Sequence, residues 1–170
     1  EPSGMSQRIV LENSDDNVCF GCGPENPMGL KMRFFREEDR ITTELEPTKW
    51  WAGQPGVVNP GIAYAVMIDL VVWTAGAILH RVPLMPKTLD MKLGDLSTSR
   101  PFTANARVVK QNGPVAQIRA EIFQDGDIAK AWLEMETKSV TRAEFQKARP
   151  LVEIPESLSG FFEGEMVPTT

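Results

Sequence analysis

The sequence predicts an α+β domain in which one antiparallel sheet packs against one long helix. The prediction rests on an almost continuous apolar run from Ile62 to Leu79, on four strand-like segments that follow it, and on Asn112-Gly113 and Asp125-Gly126, which separate the last three segments at hairpin positions. A chain of 170 residues fits a single core, because two domains would each have fewer than about 100 residues to build one. At 42% hydrophobic and 24% charged residues the composition is that of a globular chain.

Taken in order, residues 31 to 36 and 40 to 46 read as two strands joined by the acidic turn Glu37-Glu38-Asp39. From Pro47 to Pro60 the chain is rich in Pro, Gly and Trp without a sustained period, the pattern of an ordered loop. The run 62 to 79 is long enough as a helix to span about 27 Å, so a membrane span has to be weighed. Asp69 in its centre and the sheet pattern downstream argue instead for a helix buried on more than one side. Strands are expected at 89 to 96, 102 to 111, 115 to 124 and 128 to 140, with consecutive antiparallel pairing across the turns. Thr141-Arg-Ala-Glu144 has capping-box spacing for a short helix ending near Ala148. The tail with Pro150, Pro155, Phe161, Phe162 and Pro168 has no clear period, and packing and fraying are both compatible with it.

The formal charge of -5 and the absence of a Lys and Arg cluster exclude a general affinity for nucleic acid. No N-terminal stretch joins a basic start to an apolar run, so the cytoplasm is the expected compartment, and Glu1 to Gly4 read as an addition ahead of Met5. Cys19 and Cys22 form a C-F-G-C pair; a structural zinc wants four ligands, and the single His80 is the only other strong candidate. The pair therefore reads as two small side chains in a tight, Gly-rich turn, and no metal is expected. One sheet covers only one side of so apolar a helix, so a second copy of the chain, or the tail, is expected on the other.

The twelve residues Cys19-Phe-Gly-Cys-Gly-Pro-Glu-Asn-Pro-Met-Gly-Leu30 resemble the C-x-x-C-G-x-x-N-P-x-G-L opening of phenylacetyl-CoA-thioesterase-like hotdog proteins. Gly53-Gln-Pro-Gly-Val-Val-Asn-Pro-Gly-Ile62 is similar to that family's G-x-P-G-x-V-H-G-G-I, with its His-Gly-Gly core altered, and the sheet after Thr88-Leu-Asp-Met91 is similar too. The resemblance covers about residues 19 to 140 and implies a hotdog fold, a curved antiparallel sheet wrapped around one long central helix. It divides the chain into an N-terminal segment 1-18, a hotdog domain 19-148 and a C-terminal tail 149-170. It also implies thioesterase activity as a homodimer or dimer of dimers, with coenzyme A only as part of the substrate and no separate cofactor.

Asp69 needs a physical reason, because an ionised carboxylate in an apolar helix costs several kcal/mol unless it is paired or neutralised. One reason is chemical, since desolvation raises its pKa toward that of a general base. The other is structural, with Asp69 bonded to Thr74 or to a group across a dimer interface. In the resembling family the N–H after the motif His is the oxyanion donor, and the acid lies eight residues beyond. Without a gap, Pro60 falls on the donor and Ile68 on the acid, which would abolish the site because Pro has no N–H. With one residue inserted in the preceding loop, Gly61 becomes the donor, Asp69 the acid and Gln54 the group that orients the reactants. The second register is preferred because loops absorb insertions and helices do not; Pro60 then precedes the helix.

Asn59 reads as a helix cap or as a substrate contact in place of His. The resemblance makes Thr88 a group that reaches a partner's site, with an ordinary strand Thr as the equal alternative, and Tyr64 and Trp73 are further substrate-pocket candidates whose commoner reading is core. His80 ends the helix, where a cation suits the dipole, and without a G-x-S-x-G motif it does not suggest a Ser-His-Asp hydrolase. Lys87, Lys92 and Arg100 are candidates for coenzyme A phosphates or for ordinary solvated surface. Two other readings stay open: a hotdog dehydratase, isomerase or cyclase with Asp69 as acid and base, and a non-catalytic ligand-binding protein.

Overall fold

The computed structural model describes residues 7–84 and 87–166. Glu1 to Gly4, read above as an addition, and Pro168 of the tail lie outside the described residues. Seven strands form one antiparallel sheet: β1 (Arg8–Val10), β2 (Phe35–Glu37), β3 (Arg40–Leu45), β6 (Lys87–Leu93), β7 (Phe102–Asn112), β8 (Val115–Phe123) and β9 (Ala129–Lys138), in the order β1-β2-β3-β7-β8-β9-β6. A small hairpin, β4 (Ala52–Gln54) and β5 (Val57–Val58), stands apart and leads into the helix α1 (Pro60–Leu79), which lies across β3, β7, β8 and β9. The fold is α+β, with the sheet curved about one central helix.

The sheet follows from alternation. Along β8 every second residue (Ala116, Ile118, Ala120, Ile122) is buried, the last three in the core shared with the helix, as a period of two requires. The turns fall where Gly and Asp take positive φ, 56° at Gly113 and 59° at Asp125. On α1 the buried face is Ala63, Val66, Met67, Leu70, Val71, Thr74 and Ala75. Each large apolar side chain buried there contributes about 1.5–3 kcal/mol relative to exposure. The helix is apolar enough over eighteen residues to cross a membrane by length and composition, with a mean hydropathy of 2.0. Its buried face is spent on the sheet instead.

Several expectations shift at their edges, and three short strands were missed. Residues 31 to 34 are not strand: Lys31 has a φ of 51°, and the backbone bonds locally, Leu30 N to Phe20 O and Met32 N to Gly21 O. The segment is thereby tied to the 19–23 turn. The strand expected at 89 to 96 ends at Leu93, because Gly94 presses on Lys130 O, where a Cβ would come within 2.1 Å. Leu96 O then accepts from Val58 N, in front of α1. The loop 47 to 60 holds a 3-10 turn at Lys49–Trp51 as well as the β4-β5 hairpin. β1 was not foreseen; three exposed residues carry no alternation to betray it.

Past the sheet, α2 (Arg142–Ala148) starts with the capping box between Thr141 and Glu144 that the spacing predicts. The tail's open question is answered by packing. Phe162, Val82, Val140 and Phe145 make a second, smaller core, flanked by Val152, Ile154 and Phe161. Arg142 closes it, bonded to both oxygens of Glu165 at 2.9 and 3.0 Å and lying over the Phe162 ring.

Candidate active site on the central helix

The candidate residues fall into three groups around α1. At its start, Asn59 is the N-cap and its Oδ1 accepts from Gly61 N at 2.8 Å. Pro60 does not precede the helix as expected; it is the first helical residue, where its missing N–H leaves no helical bond unmade. Gln54 ends β4 on the adjoining hairpin, and Gly53 next to it packs against Asn59, where a Cβ would lie 3.2 Å from the Asn59 Cα. Gln54, Asn59 and Gly61 are all exposed, so solvent and ligand can reach them.

On one flank of the helix Tyr64 and Thr88 meet through their hydroxyl oxygens at 3.4 Å, joining α1 to the edge strand β6. Lys87 and Lys92 stand exposed on that same strand, whereas Arg100 is held by Asp125 at 2.8 Å. On the other flank lie Asp69 and Trp73. Trp73 stacks on Phe34, ring centroids 4.6 Å apart, and so packs against the core.

Asp69 does not bond to Thr74, whose hydroxyl donates back to Leu70 O at 2.7 Å. Its neighbours come from fifty residues upstream. Cys19 Sγ lies 3.7 and 3.9 Å from its two carboxylate oxygens, and Gly21 is so close that a Cβ there would fall 2.2 Å from Oδ2. Burial, and next the charge of Cys19, push the Asp69 carboxyl up to about 7. Hydrogen bonds from Cys22 and from the backbone N–H groups of Cys22 and Gly21 hold the Cys19 thiol below the usual thiol range, against desolvation; the same pairing pushes Cys22 up. Residue-type reasoning missed this trio. The available signals were Gly21 and Gly23, which allow a close approach, and a helical Asp without a local partner.

The helix geometry also sets a limit. Gly61 and Asp69 are eight positions apart on one helix, about 12 Å along its axis. One carbonyl cannot touch both groups of the same chain.

No protein-family model matches the chain, and no curated protein matches it in sequence. Among solved structures it is similar to a thioesterase superfamily protein, with a TM-score of 0.64 at 17% identity over 72% of this chain and 60% of that one. It is similar to zebrafish thioesterase superfamily member 2, with a TM-score of 0.54 at 10% identity over 67% and 88% of the two chains. The PaaI protein of the E. coli phenylacetic acid degradation operon gives 0.53 at 12% identity over 64% and 79%. The chain thus spans 60% of the length of the first of these proteins. At such identities the likeness is one of fold, and the fold is the hotdog fold. Two of these three structures carry the thioesterase name, and neither of those two refers to phenylacetic acid.

Proposed function

We propose that the chain hydrolyses an acyl-CoA or acyl-carrier thioester at a site built between two copies. The observation that carries this reading is the desolvated Asp69 carboxyl, held near neutral on a hotdog central helix. Ionised above about pH 7, it removes a proton from water as the water oxygen attacks the thioester carbonyl. The carbonyl oxygen gains negative charge, the C–S bond then breaks, and the thiolate leaves with the proton that the carboxyl returns.

Because about 12 Å separates Gly61 from Asp69 along one helix, the oxyanion donor and the base come from different chains in this reading. Gly61 N–H becomes the donor when the Asn59 carboxamide swings away, which forfeits a cap bond of about 1 kcal/mol. The freed Asn59 amide and Gln54 then hold the substrate, with Tyr64 and Thr88 along the acyl path. The uncovered helix face around Val72 and the exposed edge of β6 supply the apolar and hydrogen-bonding surface for the second copy. The reading takes the protein as a homodimer, or a dimer of dimers, in the cytoplasm, acting on a small molecule with no nucleic-acid or membrane partner.

The test is thiol release from a panel of acyl-CoAs by the full chain and by Asp69→Asn, with circular dichroism to confirm the fold. Turnover that disappears in the Asn variant supports the reading; no turnover across the panel, or an Asn variant as active as the parent, removes it. One observation favours a second reading, a non-catalytic ligand-binding hotdog protein: the Gly61 N–H is already bonded to Asn59. Acyl-CoA binding without thiol release would select it.

A further inference from the structure

We propose that Cys19, Cys22 and Asp69 form a binding site for one zinc ion, with the fourth coordination position open on the side where Cys19 and Asp69 remain partly exposed. The sulfurs of the two cysteines and a carboxylate oxygen all lie within 4.8 Å of one another. A tetrahedral zinc with bonds of about 2.3 Å to sulfur and about 2.0 Å to oxygen has edges of about 3.5 Å between S and O and about 3.8 Å between two S. The Cys19–Asp69 edge already measures 3.7 Å. Closing the trio on an ion asks for shifts of an ångström or less.

The surroundings supply hydrogen-bond donors to both sulfurs. The turn is closed by Gly23 N donating to Cys19 O at 2.8 Å, and the backbone N–H groups of Gly21 and Cys22 face Cys19 Sγ. Cys22 Sγ receives the Asn17 amide at 3.7 Å and faces the Trp73 indole N–H; Asn17 is itself steadied by Asn13 at 3.0 Å. Such donors stabilise sulfur charge and orient metal ligands from behind. Gly21 matters for a separate reason: any Cβ there would drive the carboxylate off the sulfurs. Cys22 is 6% exposed, which closes the protein side of the site.

Two thiolates and one carboxylate select a thiophilic divalent ion and reject magnesium and calcium, which prefer all-oxygen shells. Three protein ligands with one open position is the arrangement of zinc sites that exchange water or bind a further group, not of closed structural ones. The C-F-G-C pair alone supplies half a site; the fold brings the third ligand from fifty residues away. Binding goes beyond the thioesterase reading and does not depend on it. Only one consequence does: with zinc bound, Asp69 is a ligand and is unavailable as a base, so zinc suppresses hydrolysis and a chelator restores it.

The experiment is cobalt and zinc titration of the full chain, purified under reductant and stripped with chelator. Co2+ is expected to give a thiolate-to-cobalt absorption band that saturates at one equivalent and is bleached by one equivalent of Zn2+. Cys19→Ser and Asp69→Asn are each expected to weaken zinc binding at least tenfold in competition with a chromophoric chelator, with circular dichroism reporting the fold. Magnesium at a thousandfold excess should leave the band unchanged. Absence of the band in the reduced parent chain, a stoichiometry far below one, or variants that bind zinc as tightly as the parent would each overturn the site. Because the band reads the metal directly, a chain that binds zinc without hydrolysing any thioester refutes only the function proposed above. A chain that hydrolyses thioesters and shows no band refutes only the zinc site.

Discussion

The start and the middle of α1 handle their polar groups in opposite ways. At the start, Asn59 accepts from Gly61 N, and Asn59 O accepts from Ile62 N at 2.9 Å, so local partners and solvent satisfy the exposed groups. In the middle, Asp69 is half-buried, and its neighbours are two sulfurs from a distant turn. The first arrangement is comfortable and costs nothing to keep. The second leaves a carboxyl whose proton is held near neutral, the condition under which a group does chemistry or takes a metal. Availability for function is thus set by what the neighbours fail to supply.

The contrast is broken most severely at Asp69. In chelator-treated protein, Asp69→Asn is expected to lower kcat/KM for a thioester by about 10²–10⁴-fold, read by thiol release. The same substitution should raise stability. The Asp69 carboxyl titrates near 7 in the folded chain against 3.8 for the free side chain, so it favours folding while protonated and that contribution is lost as pH rises from about 4 through 7. Urea unfolding should therefore find the Asn variant more stable above pH 7 by about 2–4 kcal/mol, and no more stable than the parent below pH 4. Equal stability at both ends would show that the carboxyl is not desolvated.

At the helix start, Asn59→Asp tests whether capping and catalysis separate. A charged cap beside the helix dipole keeps or improves stability. It also places negative charge where the oxyanion develops, so kcat is expected to fall about 10²-fold with the thermal midpoint unchanged or higher. Smaller still is the effect of His80→Gly. His80 caps the helix with a φ of 52°, a conformation that suits Gly, and the substitution should stabilise by up to about 1 kcal/mol in denaturant titration. If it destabilises instead, the left-handed cap is held by contacts beyond its own backbone.

What the sequence made legible follows the same division. The helix, the hairpins at Gly113 and Asp125, and the capping box at Thr141 and Glu144 are written in neighbouring residues, and neighbouring residues are what a pattern reports. Asp69 stood out for a physical reason, a charge inside an apolar run. Its partners did not, because Cys19 and Gly21 reach it only through the fold. The same holds for residues 31 to 34, drawn out of an apparent strand by bonds to Phe20 and Gly21, and for Pro60, displaced by one position once Asn59 became the cap. The second core showed in sequence only as Phe161 and Phe162 without a period.

Among the described residues, β6 leaves one row of backbone donors and acceptors along seven residues without a neighbouring strand on its outer side. For a chain that pairs through this row, folding to completion and finding a twin become one equilibrium, and how firmly each molecule holds its shape depends on how many others share its volume.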